Sequence, residues 1–361
     1  MSLSNLAIMS SESSNMASAS GIASEMPSQS KTQFIYEGSD GCVYSFGGFP
    51  CKDPNLNKGH ENDVMKIQKK SSYREHIAKI ILQIDPRQEH LIIENSSCNI
   101  ATFDPTLKNS NGDLCKKYQY YTSTIDGIFR DGKNVDLTGY FMKNGGDDLI
   151  TFCDKNAKDP SLIGILLSSM CDILKAVRLL KVNRILHLDI KPDNITFDGK
   201  KSYLIDFGMA LTYDELREKL LSPKPYYFRE LLPPFLNVIG ENMNYNAKAK
   251  HTGEHFINEL VEMKHFGLGN YLLNNQHYIL LYHEQAVNKA EYIKKVISLF
   301  DKIDSFSVGF AYVGIFRDLN IYNKLTIPTR EFLQSMIHSN PEQQLDLDTA
   351  ISKLEKIILN E

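Results

Sequence analysis

The chain has 361 residues, 42% of them hydrophobic and 23% charged, and 40 basic against 44 acidic side chains leave a net charge of −4. Such a length and apolar content suffice for a large core divided between two lobes, and argue against a wholly disordered chain. The near-neutral charge balance argues against a nucleic-acid binder whose affinity comes from a basic face.

Residues 1–31 are rich in Ser, Met, Ala and Asn without a sustained period, which predicts a disordered, solvated tail; the alternative is a serine-rich phosphorylation target. Order is expected from Gln33. Phe34-Ile35-Tyr36 and Cys42-Val43-Tyr44-Ser45-Phe46 are β-prone and flank the turn Gly38-Ser39-Asp40-Gly41. A Gly-, Pro- and Asn-rich loop runs to Asp63, followed by a short strand at Val64–Ile67. Ser71-Ser72 opens an amphipathic helix through Ile77, Ile80, Ile81 and Ile84, which Asp85-Pro86 stops. Leu91-Ile92-Ile93 reads as a strand and residues 101–134 as an irregular insertion. From about Asp159 the period becomes helical, with Ile163, Leu166, Leu167, Met170, Ile173, Leu174, Val177 and Leu180 in one stripe. The rest is helix-rich.

The cysteines, Cys42, Cys51, Cys98, Cys115, Cys153 and Cys171, contain no CxxC pair. Neither a disulfide framework nor a zinc site is expected, and a reducing, intracellular compartment is. No apolar run reaches the roughly 18 residues of a membrane span. The stretch Leu162–Leu180 is interrupted by Asp172, Lys175 and Arg178, and the start of the chain lacks the pattern of a secretory signal.

The strongest signal is His187-Leu188-Asp189-Ile190-Lys191-Pro192-Asp193-Asn194, followed by Ile205-Asp206-Phe207-Gly208. From about Gln33 to its end the chain resembles the eukaryotic-type protein kinase family of serine/threonine specificity. Ile84-Asp85-Pro86 after the first helix, the long insertions and the missing A-P-E segment look like kinases of large DNA viruses. The resemblance implies an α+β, bilobal fold. Residues 32–144 would form a small β-rich lobe, and 145–361 a larger helical lobe with a helical insertion at about 237–300. It implies an ATP- and Mg²⁺-dependent enzyme of the cytoplasm, or of the virion if viral, that phosphorylates a protein substrate.

By the same resemblance, Asp189 would orient the attacking hydroxyl and take its proton. Lys191 would offset charge on the transferring phosphate, and Asn194 and Asp206 would hold magnesium. Gly38, Ser39, Asp40, Gly41 and Val43 match the later part of a phosphate-covering glycine loop, with Tyr36 at its first glycine position; a plain hairpin turn explains the same letters. Lys66 would grip the α- and β-phosphates, with Glu75 as its carboxylate partner, although Glu75 is closer in sequence than the family pattern has it. A solvated first-turn glutamate is the alternative there. Phe141 and Met142 resemble the adenine-binding hinge and Asp147 the ribose ligand, where a turn between strand and helix is the alternative.

Asp304-Ser305-Phe306-Ser307-Val308-Gly309 resembles the segment whose aspartate hydrogen-bonds the catalytic-loop backbone. Gln344 stands where the family has an arginine paired to the glutamate of A-P-E, so both halves of that buried pair are missing together. Leu188 replaces the arginine that receives an activation-loop phosphate, which implies activity without phosphorylation of Thr212, Ser222, Tyr226 or Tyr227. Two other classes stay open: a nucleotide-binding scaffold without catalysis, and a kinase of small molecules.

Overall fold

The computed structural model describes residues 33–222, apart from short stretches between 38 and 136, and residues 289–360 apart from 339–340. The molecule is mixed α+β, as expected. The N-terminal tail, Tyr226 and Tyr227, and most of the 237–300 stretch lie outside the described residues.

The first part is built on alternation. Strands β1 (Phe34–Glu37), β2 (Gly41–Ser45) and β3 (Asp63–Lys69) precede helix α1 (Ser72–Ile84) and strand β4 (Ser96–Asn99). Three short strands, β5 (Tyr121–Thr124), β6 (Gly127–Arg130) and β7 (Lys133–Val135), form a separate antiparallel sheet, so the expected irregular insertion is in part regular. Strand β8 (Leu137–Lys143) then completes an antiparallel sheet ordered β1-β2-β3-β8-β4. Because side chains alternate across a strand, one face collects Phe34, Cys42, Tyr44, Met65, Ile67, Cys98 and Phe141 into a core closed by Phe49 and Phe103. At Gly41 the chain passes so close to β3 that a Cβ would collide with the carbonyl oxygen of Ile67.

Two disulfides lie in this core, Cys42–Cys115 and Cys51–Cys98. They overturn the expectation that no disulfide framework forms, and with it the cysteine-based argument for a reducing compartment. Sequence spacing misses them because the partners are brought together only by the sheet and the segment that folds back over it. Glu37 adds a second tie beside the first bridge, accepting from the Lys116 N–H at 2.6 Å.

Helix α1 ends where expected. Pro86 supplies no N–H to continue it, and the Asp85 carboxylate accepts from the N–H groups of Glu89, His90 and Leu91 at 2.8 to 2.9 Å. The Leu91–Ile93 run is not a strand. It bridges only at Leu91, to Leu204, with Ile92 N–H donating to the Leu204 carbonyl at 2.9 Å.

The second part begins with β9 (Asp147–Asp148), α2 (Leu149–Asn156) and the long helix α3 (Leu162–Val182). Gly146 allows the entry: its φ is +85°, and a Cβ there would strike the Phe197 carbonyl. Asp148 caps α2 by accepting from Thr151 N–H at 2.9 Å. The expected stripe on α3 is buried, among Leu166, Leu167, Met170, Ile173, Leu174 and Leu180. Short strands β10 (Ile185–Leu186), β11 (Ile195–Phe197), β12 (Ser202–Leu204) and β13 (Leu211–Thr212) follow, then α4 (Tyr213–Leu221), α5 (Lys289–Ser298), α6 (Phe300–Asp318), α7 (Ile327–Met336) and α8 (Leu347–Asn360). Helices α3, α6, α7 and α8 share one core, to which Ile77 and Ile81 of α1 and Phe207 also belong. No described helix is long and apolar enough to cross a membrane.

Candidate active site

The loop after β10 is held from below. Asp304, on α6 and only 2% exposed, accepts from the His187 N–H at 2.7 Å and the Leu188 N–H at 3.1 Å. This is the role its resemblance implies. Burial pushes the Asp304 carboxyl above its ordinary range, while the N–H donors of His187 and Leu188 pull it back. The His187 ring is buried against Phe207, with centroids 4.8 Å apart. Its Nε2 meets the Ile205 carbonyl at 2.9 Å, and its Nδ1 accepts from the Asp189 N–H at 3.3 Å. The neutral Nε2–H tautomer satisfies both bonds. One imidazole thus joins the loop carrying Asp189 to the segment carrying Asp206.

Asn194 closes the loop. Its Nδ2 donates to the Asp189 carbonyl at 2.7 Å and to Asp189 Oδ2 at 3.0 Å, which turns Oδ1 to the opposite side. Lys191 Nζ stands 3.6 Å from Asp189 Oδ2. The Ile205 N–H donates to the Asn194 carbonyl at 3.0 Å and so sets Asp206 beside Asn194. Leu188 and Asp206 both have left-handed backbones, φ +62° and +58°. Non-glycine residues adopt that region at an energetic cost, and such residues gather where geometry is imposed for function. Asp206 offsets part of it by accepting from the Gly208 N–H at 3.3 Å.

From the other side comes Lys66 of β3. Its ammonium lies 3.3 Å from Asp206 Oδ2, with side chains only 9% and 19% exposed. Residues more than a hundred positions apart in sequence therefore converge: Lys66 from the sheet, and Asp189, Lys191, Asn194 and Asp206 from the loops of the helical part. Two oxygen donors, Asn194 Oδ1 and the Asp206 carboxylate, suit a hard divalent cation such as Mg²⁺. One amide oxygen and one carboxylate, held side by side by the Ile205 N–H bond to the Asn194 carbonyl, are the donor chemistry such an ion takes.

The remaining expected residues occupy several places. Lys66 pairs with Asp206 and not with Glu75, which sits half-buried in the first turn of α1 and makes no ion pair to Lys66 among the described residues. The Phe141 ring belongs to the core on the far face of the sheet, and its carbonyl accepts from the Asn95 N–H at 2.8 Å. Met142 is half-buried and pairs with Val64 across the ladder. Asp147 binds Lys155 at 2.7 Å. Val43 lies opposite Lys66 and on the same face. Gly38, Ser39 and Asp40 lie outside the described residues. His187 received no role from sequence, although its place at the head of H-x-D is the signal for one.

No family model matches the chain, and no curated protein matches it.

Proposed function

We propose that the chain is a protein kinase that transfers the γ-phosphate of ATP to serine or threonine hydroxyls, using Mg²⁺. The reading takes the sheet-bearing part as a small lobe and the helical part as a large one, with the reaction at their junction. One observation carries it: Lys66 reaches Asp206 at 3.3 Å, beside a loop that gathers Asp189, Lys191 and Asn194. Lys66 and Asp206 compensate each other's charge directly. A metal–triphosphate entering between them gives each a partner of opposite sign, ammonium to phosphate and carboxylate to metal.

In the proposed reaction the acceptor hydroxyl is aligned by Asp189, which takes its proton. The hydroxyl oxygen bonds to the γ-phosphorus as the bond to the β–γ bridging oxygen breaks, and ADP departs with that electron pair. Lys191 offsets negative charge on the moving group. Asn194 Oδ1 and Asp206 would hold Mg²⁺, which supplies charge neutralisation of the phosphates.

Incubation of the full chain with γ-labelled ATP, Mg²⁺ and a generic protein substrate tests the reading. Labelled phosphoserine or phosphothreonine is expected, falling about 10²- to 10⁴-fold in Asp189→Asn and disappearing with EDTA. Nucleotide binding without transfer would assign the scaffold class instead. Label confined to a small hydroxylated acceptor would assign a small-molecule kinase.

A further inference from the structure

The strand register determines where the residue at the first glycine position of the loop points. Pairing across β1, β2, β3 and β8 aligns Tyr36, Val43, Lys66 and Tyr140 in one transverse row. Residues directly opposed in an antiparallel sheet share a face. Lys66 uses that face to reach Asp206, so Tyr36 is presented toward the same side. The flanking positions agree, since Phe34, Cys42 and Tyr44 enter the core on the other face. The register shifts between Phe34 and Tyr36, and this irregularity leaves both Ile35 and Tyr36 45% exposed.

Charges of the opposite wall act on the phenol. Its pKa is raised, by partial burial first and then by the negative charges of Asp193, Asp148 and Asp206. These carboxylates come from three segments: the 3₁₀ turn Pro192–Asn194, the N-cap of α2, and the turn before Phe207. A neutral phenol is a hydrogen-bond donor among groups that, when ionised, only accept. Its ring adds a flat apolar surface that glycine lacks.

We propose that Tyr36 is the lid of the nucleotide site, its ring closing over the sugar and base of a bound purine nucleotide and its hydroxyl donating to a carboxylate of the opposite wall. The inference rests on the nucleotide-dependent reading above and assigns a residue to retention of that ligand. A glycine at this position favours close backbone approach to phosphate; a tyrosine instead supplies aromatic contact. Contacts completed after the ligand has entered must be broken before it leaves. They therefore act on dissociation more than on association.

Stopped-flow fluorescence with a fluorescently labelled ADP and Mg²⁺, on the full chain and on Tyr36→Phe and Tyr36→Ala, tests the lid. Tyr36→Ala is expected to release nucleotide about five- to twentyfold faster, with association changed by less than about twofold. Tyr36→Phe keeps the ring and is expected to fall between. Melting of each variant without nucleotide is expected to stay close to that of the parent, because the side chain is half exposed. Parent-like release from folded Tyr36→Ala would overturn the lid and leave the nucleotide site standing. Failure of the parent chain to bind nucleotide would overturn both.

Discussion

Asp304 shows how much of the site depends on a residue that never touches the reacting atoms. Both of its oxygens accept from backbone N–H groups of the loop bearing Asp189. Asparagine at this position turns an NH₂ toward one of those donors and leaves a buried N–H without a partner, at a cost of about 1–3 kcal/mol. Asp304→Asn is therefore expected to lower the melting temperature and kcat together, with little change in nucleotide affinity, as read by calorimetry and steady-state kinetics. The residues of this loop are legible in sequence because H-x-D-x-K-x-x-N encodes a local arrangement, bonded within itself. The direction of Tyr36 is not legible, because it depends on a register shift in β1. Nor is the partner of Lys66, since Asp206 reaches it only through the tertiary fold, from the other part of the chain. Gln344 is buried and donates from Nε2 to the Met336 carbonyl at 2.7 Å, a tertiary bond that its sequence position does not announce.

Among the elements, the segment after Phe207-Gly208 is the most informative. Leu188 is 1% exposed and packs with Leu211, Leu216, Leu220, Ile293, Val296 and Phe300, joining the loop to α4 and α5. Leu188 is thus an apolar anchor. Leu188→Arg puts an unpaired charge into this cluster and is expected to destabilise the chain by more than about 3 kcal/mol in chemical denaturation. Thr212 belongs to the same design. Its hydroxyl and Glu215 form a capping box on α4, and Thr212→Ala is expected to lose about 1 kcal/mol. Since Thr212 is used as a cap and Leu188 as an anchor, treatment with a phosphatase is expected to leave transfer activity unchanged; loss of activity would show that a phosphate is required. Elements with strong periodicity, α1 and α3, are readable from sequence. Strands β5 to β7 are not, because Thr, Ser, Gly, Asn and Lys are frequent in them and leave no apolar alternation in the sequence to read. The Leu91–Ile93 run misleads for the opposite reason, as its apolar residues are buried by packing against Leu204 without forming a ladder.

For the whole molecule, the decisive fact is that Lys66 stands on a sheet whose core is small and cross-linked. Met65 and Ile67, its neighbours on β3, belong to the same core as all four bridged cysteines. The bridges span 73 and 47 residues, one nested inside the other. In the chain-entropy account each restricts the unfolded chain by about 4 kcal/mol, and nesting makes the joint effect smaller than the sum. Cys153 and Cys171 remain as buried thiols, and burial pushes Cys153 up to about 12. Alkylation in denaturant without reductant is therefore expected to label two of the six cysteines, and all six after reduction. Reduction is also expected to lower the melting temperature and to weaken nucleotide binding before the helical part unfolds, because Lys66 loses its support first. Six reactive thiols in the unreduced chain would remove the bridges, and stability indifferent to reductant would show that the apolar packing around Tyr44, Phe49 and Phe103 holds the sheet without them.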